Sequence, residues 1–218
     1  MTQTIIITAG GIGKRMQSSI PKQFIEIKGL PIIMHTIKRF YEYNNKIQII
    51  VVLPKSHIDF WNKLVLKHKF KIKVAIVTGG TERFYSIKNG LEYASGNVIG
   101  IHDAVRPFVS LEVIKRVFES VKQHNAVVPV IDIKDSIRHL KNENSESVNR
   151  SEYKIVQTPQ CFLNELIKKA YHEQYSPNFT DDASVIENLG NPIYLVSGND
   201  ENIKITTPID LKLAEILA

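Results

Sequence analysis

The chain has 218 residues, 43% of them hydrophobic and 23% charged, the balance of a globular protein and too apolar for a disordered one. Its 28 Lys and Arg against 22 Asp and Glu leave +6 at pH 7, which suits anionic small molecules or nucleic acid and fixes neither. One cysteine, Cys161, excludes an intramolecular disulfide framework and a Cys-rich zinc site, and no apolar stretch approaches the length of a membrane span. The N-terminal run reads as a strand rather than a signal peptide, so a reducing cytoplasm is the expected compartment.

Residues 4–8 (TIIIT) form a β-branched apolar run that stops at Gly10-Gly11, the pattern of a strand buried on both faces of a parallel sheet. Pro31 opens a helical stretch with Ile33, Ile37, Phe40 and Tyr41 on one face. A second buried strand is expected at 47–53, then a helix at 57–69 with Phe60, Leu64 and Trp61 inward. A third strand follows at 72–77, a helix at 82–94 and a fourth strand at 97–101. Ser110 is the expected N-cap of a helix whose Val113, Ile114, Val117, Phe118 and Val121 make a stripe of helical period, and 126–131 is a fifth strand. This alternation argues for a three-layer α/β/α sandwich with a mostly parallel, Rossmann-like sheet, its ligand crevice at the carboxyl ends of the strands.

The pattern breaks at 132–152, which is polar and charged. Two readings stand: a flexible loop, or a projecting hairpin arm pairing 136–140 with 148–156 around a tip at 141–147. The α/β pattern resumes with a helix at 164–175, a helix at 180–189 capped by Thr180 and followed by Gly190, and a strand at 193–196. A short strand is expected at 203–206, then a terminal helix with Thr207 as N-cap, Pro208 at the first turn and Asp210 at the third position. The whole of 1–218 reads as one domain, with the arm at 133–157 inside it.

Strand one delivers Ala9-Gly10-Gly11-Ile12-Gly13-Lys14-Arg15-Met16. Its glycines let the backbone turn closely around a ligand and present N–H groups as an anion nest. Lys14 and Arg15 follow at once, and Pro21-Lys22-Gln23 adds a further cation. The spacing is not that of a P-loop, and Met16 stands where a dinucleotide fingerprint needs its third glycine.

The combination resembles the signature loop of the sugar-phosphate nucleotidyltransferases. Gly79-Gly80-x-x-Arg83-x-x-Ser86 and His102-Asp103-Ala104-Val105-Arg106-Pro107 narrow the resemblance to the cytidylyltransferases that act on polyol phosphates. Gln157-Thr158-Pro159-Gln160, Thr180-Asp181-Asp182-Ala183-Ser184 and Asn202-Ile203-Lys204-Ile205-Thr206-Thr207-Pro208 complete the set, from about residue 4 to 217. The Thr180–Ser184 block is more similar to the methylerythritol phosphate branch than to the ribitol phosphate branch.

The resemblance implies a nucleotidyltransferase fold and CMP transfer from CTP to a polyol phosphate. It implies that Ala9, Gly10, Gly11 and Gly13 wrap CTP, with Gly80, Ser86 and Ala104 also on the nucleotide. Arg15, Lys22 and Lys204 are the implied catalytic cations. Asp103, Arg106, Ser136, Arg150, Thr158 and Thr180 are the implied acceptor residues, with Ser136 and Arg150 crossing to the partner's site in a homodimer. The sequence departs from the family pattern at Gly10, Thr81, Ser136 and Asn149.

The chemistry is consistent with these residue types. A phosphate monoester with a second pKa near 6 is already a nucleophile at neutral pH, so no general base is required. The task is to hold two anions together, which cations and Mg²⁺ carried mainly on the CTP phosphates perform, without a dedicated set of protein metal ligands. Without the family, Asp103 could cap a turn and Arg106 could be a surface charge. Thr180 and Thr207 are accounted for as N-caps, His102 as a structural residue and Cys161 as a small buried one. A basic nucleic-acid-binding protein is the reading from a different class. The chain's charges are scattered, and the one dense run, at 63–73 (KLVLKHKFKIK), reads as a solvated helix edge running into a strand. Neither nucleic acid nor membrane is expected as a partner.

Overall fold

The structure, a computed structural model, describes residues 1–10 and 20–218. In chain order the elements are β1 (Gln3–Thr8), a small ribbon of β2 (Glu26–Ile27) and β3 (Leu30–Pro31), α1 (Ile32–Tyr43), β4 (Gln48–Leu53), α2 (Ile58–Lys67) and β5 (Ala75–Thr78). Then come α3 (Arg83–Glu92), β6 (Val98–Asp103), α4 (Leu111–His124), β7 (Ala126–Asp132), a hairpin of β8 (Arg138–Lys141) and β9 (Asn144–Ser147), and β10 (Lys154–Val156). The chain closes with β11 (Gln160–Leu163), α5 (Asn164–His172), α6 (Asp182–Glu187), β12 (Tyr194–Ser197) and α7 (Pro208–Leu217).

β1 lies between β4 and β6 and pairs parallel with both, and β5 extends the parallel set beyond β4. Consecutive isoleucines at 5, 6 and 7 are all fully buried because both faces of β1 are covered. Ile5 and Ile7 join the layer of α1, α2 and α4, packing with Phe40, Trp61 and Phe118. Ile6 joins the opposite layer, with Phe84 of α3, Ile167 of α5 and Ile186 of α6. The α4 stripe from Val113 to Val121 is buried as its period requires, and Ser110 Oγ accepts from Val113 N at 3.2 Å to cap it. Burying such a side chain contributes about 1.5–3 kcal/mol, so this stripe alone fixes α4 to the sheet.

The sheet differs from the expected alternation in one place. β11 inserts antiparallel between β6 and β7, with Cys161 opposite both Gly100 and Val127. β7 also takes β10 antiparallel and β12 parallel. Cys161 is fully buried there, and burial pushes its thiol well above the usual range.

Several local expectations shift. Phe60 is exposed while Trp61 and Leu64 are buried, so the inner face of α2 lies one position on. Tyr41 is likewise exposed. The strand expected from 72 begins at Ala75. No strand forms at 203–206; Ile205 N donates to the Val105 carbonyl at 3.0 Å and ties that segment to the turn just past β6. In the polar stretch, residues 138–141 pair with 144–147, a tighter hairpin than expected, and 154–156 joins the main sheet instead. Thr180 does not cap α6. Asp181 does, accepting from Ser184 N at 2.9 Å in a capping box, while Thr207 and Asp210 form the box expected at α7. Gly190 lies just past α6 at φ +74°, where a side chain would be strained.

Candidate functional site

The carboxyl ends of β1, β4, β5 and β6 open on a cleft of about 360 Å³, lined by Ala9, Gly10, Lys22, Gly80, Thr81, Ser86, Asp103, Ala104 and Lys204 among others. A larger cavity of about 640 Å³ elsewhere is lined chiefly by apolar side chains such as Ile20, Phe24, Phe60 and Leu211. That cavity also carries Glu26, Lys63 and Lys67, but the cleft alone of the two adds glycines, Gly10, Gly79 and Gly80, at strand ends beside its lysines and Asp103.

Local packing explains the cleft walls. A 3₁₀ turn at Lys22–Phe24 is anchored by Phe24 and Gln23, both buried, which leaves Lys22 at the cleft. The Gln23 amide donates to the Ala9 carbonyl at 2.8 Å and pins the chain where it leaves β1. On the facing wall, Gly80 N donates to Ser86 Oγ at 3.1 Å, and that hydroxyl donates to the Glu82 carbonyl at 3.0 Å. Gly80 is required by space, since a Cβ there would collide with Tyr85 at the start of α3.

Asp103 ends β6 and is the electrostatic centre. Its Oδ2 lies 3.0 Å from Lys204 Nζ and accepts from Arg106 Nε at 3.1 Å. Burial pushes its carboxyl up, but Lys204, Arg83 and Arg106 outweigh that and hold it well below the usual carboxylate range. Arg106 also donates to the Asn202 carbonyl at 2.7 Å, so it ties Asp103 to the segment carrying Lys204 and is not a surface charge.

Behind Asp103 is a relay of fixed direction. Asp103 N donates to Thr158 Oγ1 at 3.1 Å, and Thr158 Oγ1 lies 2.9 Å from His102 Nδ1. His102 Nε2 lies 3.0 Å from the Arg106 carbonyl, which can only accept. Nε2 therefore carries the proton, and Nδ1 accepts from the Thr158 hydroxyl. Burial lowers the His102 imidazole to about 4, so the ring is neutral and both nitrogens are committed to structure.

A second polar node sits at the cleft edge. Arg83 makes a bidentate pair with the fully buried Asp182, at 2.8 and 2.7 Å, and the Tyr171 hydroxyl donates to the same carboxylate at 2.6 Å. Burial works against the Arg83 charge, but Asp182 more than offsets this and raises its pKa.

Of the residues expected from sequence, Ala9, Gly10, Lys22, Gly80, Ser86, Asp103, Ala104 and Lys204 come together at the cleft, and Arg106 and Thr158 stand directly behind Asp103. Gly11, Gly13 and Arg15 lie outside the described residues. Ser136, Arg150 and Thr180 are exposed and are not among the residues lining the cleft of their own chain. Arg150 donates to the Lys134 carbonyl within the arm segment. Sequence reasoning gave no site role to Gln23, Arg83 or Asp182. All three lie inside recognisable motifs, but what each holds is set by a partner distant in the chain. Among the described residues no three His, Cys, Asp or Glu side chains converge as a metal site. The cleft offers the ionised Asp103, a hard oxygen donor that fits a Mg²⁺ carried chiefly on substrate phosphates.

A mostly parallel sheet with Gly10, Gly79, Gly80, lysines and a strand-end aspartate at its carboxyl edge is the arrangement of a nucleotidyltransferase. Solved structures agree. A 4-diphosphocytidyl-2C-methyl-D-erythritol synthase from Anaerococcus prevotii superposes with TM-score 0.84 at 27% identity, covering 99% of this chain and 95% of that one. A 2-C-methyl-D-erythritol 4-phosphate cytidylyltransferase from Thermus thermophilus gives 0.81 at 29% identity, over 100% and 98%. A relative of that name from Bacteroides fragilis is 53% identical over 218 residues, all of both chains. Another from Bacteroides thetaiotaomicron is 51% identical over the same span. The profile of the family described as IspD, 2-C-methyl-D-erythritol 4-phosphate cytidylyltransferase, matches residues 3–218, and the chain belongs to that family.

Proposed function

We infer that the chain transfers CMP from CTP to 2-C-methyl-D-erythritol 4-phosphate, giving 4-diphosphocytidyl-2-C-methyl-D-erythritol and pyrophosphate in non-mevalonate isoprenoid precursor biosynthesis. The family match over residues 3–218 carries this, and the cleft supplies chemistry of the right kind. Ribitol 5-phosphate is not the favoured acceptor, because the family and the relatives carry the methylerythritol name.

In this reading a phosphate oxygen of the acceptor attacks the α-phosphorus of CTP in line. A new O–P bond forms, the bond to the bridging oxygen of the β-phosphate breaks, and pyrophosphate leaves with that electron pair. The nucleophile is already ionised, so the burial of His102 away from base chemistry costs the reaction nothing. Lys22 and Lys204 stand at the cleft and, with Arg15, offset the charge that gathers as the two anions meet. Ala9, Gly10, Gly80, Ser86 and Ala104 line the cleft that takes the nucleotide, and the family resemblance adds Gly11 and Gly13 to the residues that bind it. Asp103, kept ionised, would hold Lys204 and the acceptor hydroxyls, with Arg106, Thr158 and Thr180 on the acceptor side. Mg²⁺, when bound, supplies charge neutralisation on the phosphates, with Asp103 as the chain's own oxygen donor.

The arm, 133–157, is proposed to reach across a two-fold axis in a homodimer, placing Ser136 and Arg150 at the partner's acceptor site. The exposed hairpin of β8 and β9, with Leu140 largely in solvent and Ile155 half exposed on β10, supports an arm that packs on something beyond its own core. Among the described residues no helix is long and apolar enough to cross a membrane. The cytoplasm is the compartment proposed from the sequence, with its single cysteine. Pyrophosphate release from CTP, measured side by side with methylerythritol 4-phosphate and ribitol 5-phosphate, tests the function. Turnover with ribitol phosphate alone would refute it.

A further inference from the structure

The Arg83–Asp182 pair joins the wall of the cleft to the start of α6. Arg83 opens α3 directly after Gly79-Gly80-Thr81-Glu82 and lines the cleft, three residues before Ser86. Asp182 opens α6, two residues after Thr180. Gln160 on β11 clamps the same segment: its Oε1 accepts from Asp182 N at 3.0 Å and Ala183 N at 2.9 Å, and its Nε2 donates to Asp181 Oδ2 at 2.8 Å. One end of the ion pair therefore stands on the nucleotide wall, and the other on a rigid base beside Thr180.

Asp182 is fully buried while Arg83 is part exposed, and an ion pair of this kind is weak evidence for stability, since apolar side chains of similar volume hold a fold as well. A fork-to-fork Arg–carboxylate pair does something they cannot, because its two parallel bonds set both a distance and a plane. Here the third bond from Tyr171 fixes the carboxylate itself. We propose that the Arg83–Asp182 pair is a positioning strut that holds the nucleotide wall at the separation from the Thr180–Ala183 segment that in-line transfer needs. This rests on the reaction assigned above. Two bound substrates must meet at one phosphorus atom, and a misplacement of about 1 Å can cost about a hundredfold in rate.

The test uses the full chain with Arg83→Met/Asp182→Leu, which removes both charges together, and Arg83→Lys, which keeps the charge and loses the fork. CTP binding by calorimetry gives stoichiometry and affinity, and pyrophosphate release with methylerythritol 4-phosphate gives kcat and KM. The expected result for both variants is one CTP per chain at unchanged affinity, with kcat lower by about a hundredfold. Wild-type kcat in either variant overturns the strut. So does a kcat loss that only matches the fraction of chains no longer binding CTP, which makes the pair a folding element. A loss confined to CTP affinity makes Arg83 a nucleotide contact and overturns it too. A wild-type chain inactive with CTP and the acceptor refutes the assigned reaction and the strut with it, an outcome distinct from active wild type beside equally active variants.

Discussion

Replacing His102 by Asn tests the neutral, buried imidazole behind Asp103. His102 has no solvent exposure and meets Phe40 edge-on at 4.8 Å. Burial lowers its pKa from 6.5 to about 4. The unfolded chain therefore takes up a proton between pH 6.5 and 4 that the folded chain refuses. Stability from this group is complete above pH 6.5 and is lost as pH falls through that window. The difference corresponds to about 3 kcal/mol between pH 7 and pH 4, and about 2 kcal/mol by pH 5. The Asp103 carboxyl, held down by Lys204, Arg83 and Arg106, lies below the window. Other histidines contribute equally to wild type and variant and cancel in the difference. Asn also keeps an acceptor for the Thr158 hydroxyl near the place of Nδ1. Urea unfolding, followed through the single buried tryptophan, Trp61, gives both stabilities at each pH. The advantage of wild type over His102→Asn should shrink by about 2 kcal/mol from pH 7 to pH 5. A difference that stays flat over that range means the folded-state imidazole titrates normally, and the relay direction assigned here is wrong.

Lys22→Ala and Arg15→Ala should each lower kcat by about a hundredfold or more with little change in melting temperature, while Lys204→Ala should lower kcat similarly and also lower the melting temperature, because it takes a counter-charge from the buried Asp103; wild-type pyrophosphate release would remove that cation from the mechanism. Asp181→Ala should cost about 1 kcal/mol by thermal unfolding through loss of the α6 cap, while Thr180→Ala leaves the melt unchanged and lowers activity; the reverse order of stabilities would contradict the cap seen here. CTP should be used in strong preference to UTP in kcat/KM, because a site built on hydrogen bonds to one base leaves groups unpaired with the other, and equal use would exclude such a site. Mixing inactive Arg150→Ala and Lys22→Ala chains should restore activity toward about a quarter of wild type on subunit exchange, and mixed dimers without activity would confine Arg150 to its own subunit.

The strands of the parallel set and helix α4 were legible because burial on both faces, or on one stripe, imposes a composition that short windows carry. Ile5-Ile6-Ile7 and the run from Val113 to Val121 are such cases. Motif order likewise pointed to the family, since the glycine turn and His102–Pro107 need particular residue types at strand ends. The insertion of β11 was not legible: four residues hold no period, and their partners on β6 and β7 are remote in the chain. Polar residues 138–147 carry no apolar alternation, so nothing local sets the hairpin register. Phe60 and Trp61 are neighbours on one helix, and which faces inward depends on helix phase, set by packing on Phe70 and the sheet. Thr180 and Asp181 are both competent caps, and the Gln160 clamp on Asp182 and Ala183 selects the second. Lys204 could pair with any carboxylate in reach. Only the fold brings it to Asp103, where low solvent access makes that one contact count.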